Sequence, residues 1–163
     1  MINMVARDIM VQEYEFVRPD YPVRAAVRVL FEAKVRETGY KTFGTLVIDD
    51  LGRMVGMVSM FDILYHLRPP YMNFPSMDRF KPSEDEMEDY LERFENLRVE
   101  QIMHTPVLSV SPDDPFIVLV DLMVKDRIRR VPVVEERKVL GMVYLSDVFY
   151  RFCSKWLERE KGA

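Results

Sequence analysis

Two aspartates, Asp62 and Asp147, each close a short apolar run, in GMVSMFD (56–62) and GMVYLSD (141–147). A carboxylate held at the start of a helix can accept hydrogen bonds from two adjacent hydroxyls, as on a sugar ring. Ser59 precedes Asp62 by three residues, and Ser-x-x-Asp is also a helix capping box. Both roles are open for Asp62, and they are compatible, because a cap can face a cleft. At the second site Tyr144 stands where Ser59 stands in the first. Its phenol could block the cleft of Asp147, stack there or pack in the core, while Ser146 offers a substitute hydroxyl. Three arginines, Arg127, Arg129 and Arg130, precede the apolar run Val131–Val134. Guanidinium groups hold phosphate through a planar fork of donors. They also suit a solvated helix end, where cations meet the negative pole of the dipole.

Other chemistries are poorly served. Cys153 is the single cysteine, and His66 and His104 are the two histidines. That excludes a disulfide framework within the chain and a cysteine-based zinc site, and it argues against a His-rich metal centre. His104-Thr105-Pro106 reads as a loop. No P-loop, G-x-S-x-G or Cys–His arrangement is present, so no catalytic activity is expected. With 163 residues, 48% of them hydrophobic, the chain can bury a core unaided. No run of ~18 apolar residues is long enough to span a bilayer. The first residues lack the apolar core of a secretory signal, so a cytoplasmic, reducing location is the expectation. Net charge is −4, yet residues 83–100 alone carry −6 and the rest +2. Acidity is thus one stripe, and without a basic block nucleic acid is not an expected partner.

The elements that must position these residues come as a repeat. Shifted by 93 residues, Ile9-Met10 falls on Ile102-Met103, and Val17, Pro19, Asp20, Pro22 and Val27 fall on Val110, Pro112, Asp113, Pro115 and Val120. The offset then drops to 86, matching Val47-Ile48 to Val133-Val134. At 85, Gly56-Met57-Val58 meets Gly141-Met142-Val143 and Asp62 meets Asp147. Repeat 1 therefore carries about eight extra residues, most of them in Val35–Gly44. Two copies are expected, 4–67 and 98–155, joined by an insert at 68–97.

Each copy has a short apolar start, a short extended piece, a turn and an amphipathic helix. The helix is marked in copy 1 by Val23, Ala26, Val27, Leu30 and Phe31, with Pro22 and Pro115 placed in the first helical turns. Two strands follow, 45–48 with 54–59 and 131–134 with 139–144, and then a second helix. The last helix contains Phe149, Phe152, Trp156 and Leu157. In the insert, prolines delay regular structure, and Ser83–Glu86 then caps a helix with an apolar stripe at Met87, Leu91, Phe94 and Leu97. It reads as an acidic linker helix on the surface, with a dedicated partner-binding helix as the alternative.

This ordered set resembles a CBS-domain pair, or Bateman module: GMVSMFD, GMVYLSD, RRVPVVE at 129–135 and the two Ile-Met starts. The resemblance implies an α+β (mixed α/β) fold of tandem β-α-β-β-α repeats with pseudo-two-fold symmetry and two clefts between the copies. It implies a regulatory module whose clefts hold an adenosine ligand: AMP, ADP, ATP or S-adenosylmethionine. Asp62 and Ser59 would then share a cleft with Arg129 and Arg130. Met103, Val107, Leu108, Ile128 and Val131 would line the base, the alternative for each being a place in the core. The weaker cleft would pair Asp147 and Ser146 with an uncharged edge at Phe43 and Gly44. A homodimer regulating some other protein is the further implication. The alternative is a ligand-free CBS pair that works through dimerisation or partner docking.

Overall fold

A computed structural model describes residues 4–36, 39, 41–74 and 81–161 of the chain. The side chain of Trp156 and part of the 35–44 stretch lie outside the described residues. The fold is α+β, with two small sheets. In the first copy β1 (Phe16–Val17) pairs parallel with β2 (Gly44–Ile48), which pairs antiparallel with β3 (Met54–Ser59). In the second, β4 (Arg130–Glu135) pairs antiparallel with β5 (Lys138–Tyr144), and Val110 bridges Val133 in parallel where β1 has its counterpart.

Helix α1 (Val23–Glu32) buries Val23, Ala26 and Leu30 on one face, as the spacing predicts, but Phe31, expected on that face, is 78% exposed. Helix α4 (Phe116–Lys125) buries Phe116, Leu119 and Met123 likewise. Pro22 and Pro115 are the N-caps of these helices and do not lie within their first turns. Both have extended ψ angles, 151° and 141°. A proline nitrogen has no hydrogen to lose there, so one position earlier serves equally well. Helices α2 (Met60–Leu67) and α5 (Leu145–Lys161) follow the last strand of each copy.

In the insert, a 3-10 turn (Pro70–Asn73) precedes helix α3 (Glu84–Glu95), whose Ser83–Glu86 capping box is formed on both sides. Phe94 is buried and Leu97 packs against the first copy's core, whereas Leu91 faces outward at 42% exposure. The apolar stripe is therefore interrupted.

The starts of the two copies are exchanged. Ala6 and Ile9 are buried in the core of copy 2 with Val110, Phe116, Leu119, Val131 and Val143. Val99 and Ile102 are buried in the core of copy 1 with Val17, Val23, Val47, Val58 and Phe94. Backbone bonds fix the exchange: Ala6 N–H to Asp114 and Phe116 N–H to Met4 on one side, Val99 N–H to Tyr21 and Val23 N–H to Leu97 on the other. This crossing accounts for the repeated Gly-Met-Val. A Cβ on Gly56 would lie 2.4 Å from the sulfur of Met103, and one on Gly141 would lie 2.7 Å from the carbonyl of Val11. Each glycine lets the other copy's Ile-Met start lie flat on its strand. A third cluster, Leu46, Ile48, Met57 and Met142, joins the two sheets at the pseudo-two-fold.

Among the described residues no helix is long and apolar enough to cross a membrane, and no group of three or more His, Cys, Asp or Glu side chains could hold a metal ion.

Candidate functional site

Strand β3 delivers Ser59 and Asp62 to the start of α2. Ser59 is the N-cap, accepting from the Asp62 backbone N–H, while Asp62 Oδ2 accepts from the Ser59 N–H (2.7 Å) and hydroxyl (2.6 Å). The capping role is therefore filled. The same Oδ2 lies 3.0 Å from His104 Nδ1. Burial opposes ionisation of Asp62, but hydrogen bonds from His104 and Ser59 outweigh it and hold the carboxyl below its ordinary range. His104 is placed there by the exchanged start of copy 2, through paired backbone bonds with Met57.

An open cavity of about 1050 Å³ is lined by residues of both copies. That is at the upper end of the ~300–1,000 Å³ usual for small-ligand sites. Ser59, Val107, Leu108, Ile128, Arg129, Arg130 and Ser146 line it, together with Arg127. Two candidates for the base do not. Val131 is fully buried in the core of copy 2, and Met103 packs in the core of copy 1 across Gly56. The strand alternation that turns Arg130 toward the cavity turns Val131 inward. Asp62 and Asp147 stand just behind the lining, their side chains 15% and 16% exposed.

The basic trio is not simply a solvated helix end. Helix α4 stops at Lys125, and Arg127 takes a left-handed φ of 52°, turning the chain so that Arg127 to Arg130 pass along the cavity wall. Arg130 is the most enclosed of them. Burial above all eases its proton off, with Tyr144 and Asp62 acting in the opposite sense. It stays charged at any neutral pH.

The copy 1 edge is not uncharged, contrary to the sequence reading. Arg36 and Lys41, from the longer connection of copy 1, line the same cavity. Arg36 forms an ion pair with Asp147 Oδ2, and its guanidinium carbon lies 3.5 Å from the centre of the Tyr144 ring. Of the three roles open to Tyr144, two are realised: it packs against the cluster of Leu46, Ile48, Met57 and Met142, and it stacks with a guanidinium as its partner. Ser146 Oγ is 3.4 Å from Asp147 Oδ1. Sequence reasoning missed Arg36, Lys41 and His104. Charge at 36 and 41 was visible, but their partners lie far along the chain.

Gly44 has a specific duty here. A Cβ at this position would stand 2.0 Å from Nη1 of Arg130 and 2.5 Å from its central carbon. The guanidinium therefore lies flat against β2 at the position that Arg130 itself occupies in the repeat. Two side chains cannot share that space, so an arginine on one copy requires a glycine on the other. Gly44→Ala should move the Arg130 head, a flexible group, and leave the melting temperature within ~3 °C of the parent. A crystal structure of the variant should show the Arg130 head displaced from β2, and an unmoved head would show that Gly44 does not make room for it.

The CBS domain model matches residues 6–69 and 99–153, and the chain belongs to this family. Among solved structures, the CBS domain of a CBS domain containing membrane protein from Sphaerobacter thermophilus is 25% identical, with a TM-score of 0.67 over 91% of this chain and 87% of that one. Protein MJ1225 from Methanocaldococcus jannaschii superposes with a TM-score of 0.72 at 21% identity, over 92% of this chain and 48% of that one. CBSX2 in complex with AMP gives 0.65 at 23% identity, over 96% and 98%. The search of curated proteins gives no match.

Proposed function

We propose that this chain is a non-catalytic regulatory module that binds an adenine nucleotide between its copies. The carrying observation is the cavity wall. It combines apolar side chains with Arg36, Lys41, Arg127, Arg129 and Arg130, and among the described residues no carboxylate residue lines it, although the chain's net charge is −4. Such a wall suits a ligand with a flat apolar part and a polyanionic end. Val107, Leu108 and Ile128 flank the base, Asp62 with Ser59 receives the ribose hydroxyls, and Arg129 with Arg130 receives phosphate. AMP bound to the relative CBSX2 supports the reading.

A thermal-shift screen of AMP, ADP, ATP, S-adenosylmethionine and NADH tests it. A ligand at 100 times its dissociation constant adds ~2.7 kcal/mol, or roughly 5–10 °C for a domain of this size. At least one adenine nucleotide should give such a shift. Shifts below 1 °C for all five at millimolar concentration would discard the proposal.

A second reading has its own observation. Helices α2 and α5 expose Phe61 (73%), Leu64 (54%), Phe149 (61%) and Leu157 (62%). These faces suit a homodimer or a docked partner, with or without a nucleotide. Light scattering that gave a monomer at tens of micromolar would remove the dimer.

A further inference from the structure

Arg36 belongs to the stretch that lengthens copy 1 by about eight residues, so copy 2 has no equivalent. It is nevertheless well fixed. Its ion pair with Asp147 leaves both side chains largely covered, at 14% and 16% exposure, and the Tyr144 ring supports the guanidinium plane. Arg130 is the cross-strand partner of the same tyrosine in β4–β5, so the two side chains share one face of the sheet. Nη1 of Arg36 and Nη1 of Arg130 are both buried, and among the described residues neither has a hydrogen-bond partner. Both residues line the one cavity.

A buried cationic N–H without an acceptor is costly. The two guanidinium groups belong to side chains that line one cavity and neighbour one tyrosine, and an anion that drew both heads toward the cavity would supply the missing acceptors. A guanidinium has donors along more than one edge, so Arg36 can keep Asp147 on one nitrogen and an anion on the other.

We propose that Arg36 and Arg130 together hold the outer phosphates of a nucleoside triphosphate whose nucleoside lies toward Asp62. Arg36 is then the residue that reads phosphate-chain length. Asp147 is a positioning residue for Arg36 and does not act as a second ribose acceptor. This rests on the adenine-nucleotide reading and adds to it a ligand class and a stoichiometry of one nucleotide per chain. A monophosphate reaches Arg129 and Arg130. Only a longer chain continues to Arg36.

Calorimetry on the full chain with adenosine, AMP, ATP and inorganic tripolyphosphate tests it. The parent should bind one ATP per chain, about ten- to a hundred-fold more tightly than AMP, the usual effect of a charge-assisted hydrogen bond. In Arg36→Gln the ATP affinity should fall to within about threefold of AMP, with AMP binding itself changed less than twofold. Tripolyphosphate should displace ATP from the parent and fail to bind the variant. Asp147→Asn should lower the ATP preference in the same way and leave adenosine affinity unaltered. If Arg36→Gln does not fold, Arg36→Lys replaces it. It keeps the charge but lacks the second donor edge, and should lose most of the preference.

Parent protein that binds AMP and ATP equally overturns this inference and leaves the nucleotide reading standing. So does a preference that survives at Arg36, or an Asp147→Asn protein that loses adenosine as strongly as ATP. Parent protein that binds none of the nucleotides overturns both.

Discussion

Asp62→Asn should weaken adenosine and AMP binding by about ten- to a hundred-fold while the protein remains folded. A hydrogen bond to a charged acceptor contributes ~1.5–3 kcal/mol, and asparagine removes the charge while keeping an oxygen for the cap. The three hydrogen bonds described for this carboxylate all end on Oδ2, so Oδ1 is the oxygen that an incoming hydroxyl would meet. Because the folded carboxyl is held below its ordinary range, its stabilising contribution is complete above the unfolded value of ~3.9 and is lost as pH falls through the folded value. The parent's melting temperature should therefore fall faster than the variant's below about pH 4. Calorimetry with adenosine at pH 7, beside melting curves from pH 3 to 7, measures both effects. A variant that binds adenosine as tightly as the parent would reduce Asp62 to a helix cap.

Ile102→Ala should lower stability by ~2–5 kcal/mol, the usual effect of truncating a fully buried aliphatic side chain. For a domain of this length that is roughly 5–15 °C of melting temperature. Ile102 is 1% exposed and packs with Val17, Val23, Val58 and Phe94, all of them residues of the other copy or the insert. In a copy that folded on its own start, those residues would be indifferent to position 102. Amide hydrogen exchange locates the effect: protection should fall in β2 and β3 of copy 1. Loss confined to β4 and β5 would mean that the starts are not exchanged.

Much of the fold was legible because its determinants are local. The pairs β2–β3 and β4–β5 follow from short apolar runs separated by turns, and the α1 face follows from the spacing of Val23, Ala26 and Leu30. Ser83–Glu86 and Ser59–Asp62 announce their caps within four residues, and both boxes are formed. The repeat itself required only comparison of the chain with itself.

The site was legible in part. Ser59, Ile128, Arg129 and Arg130 were named from the sequence and share one cavity. Val131 and Met103 were named with them, but an apolar residue beside a ligand and one in the core have the same composition and periodicity. Only the direction of the side chain separates them. Arg36 meets Asp147 across 111 residues and His104 meets Asp62 across 42, and neither pair leaves a local pattern.

By itself, then, the sequence determined two copies of one unit, their strands and helices, the capped position of Asp62 and a cluster of arginines before β4. Tertiary structure alone decided that each Ile-Met start lies on the other copy's glycine, that Arg130 rests where Gly44 leaves room, and that Arg36 takes Asp147. The reason is physical. Secondary structure is set by hydrogen bonds and side-chain periods spanning a few residues, whereas these contacts depend on which surfaces remain apolar or unpaired after those elements form, and that is settled only when the two copies pack.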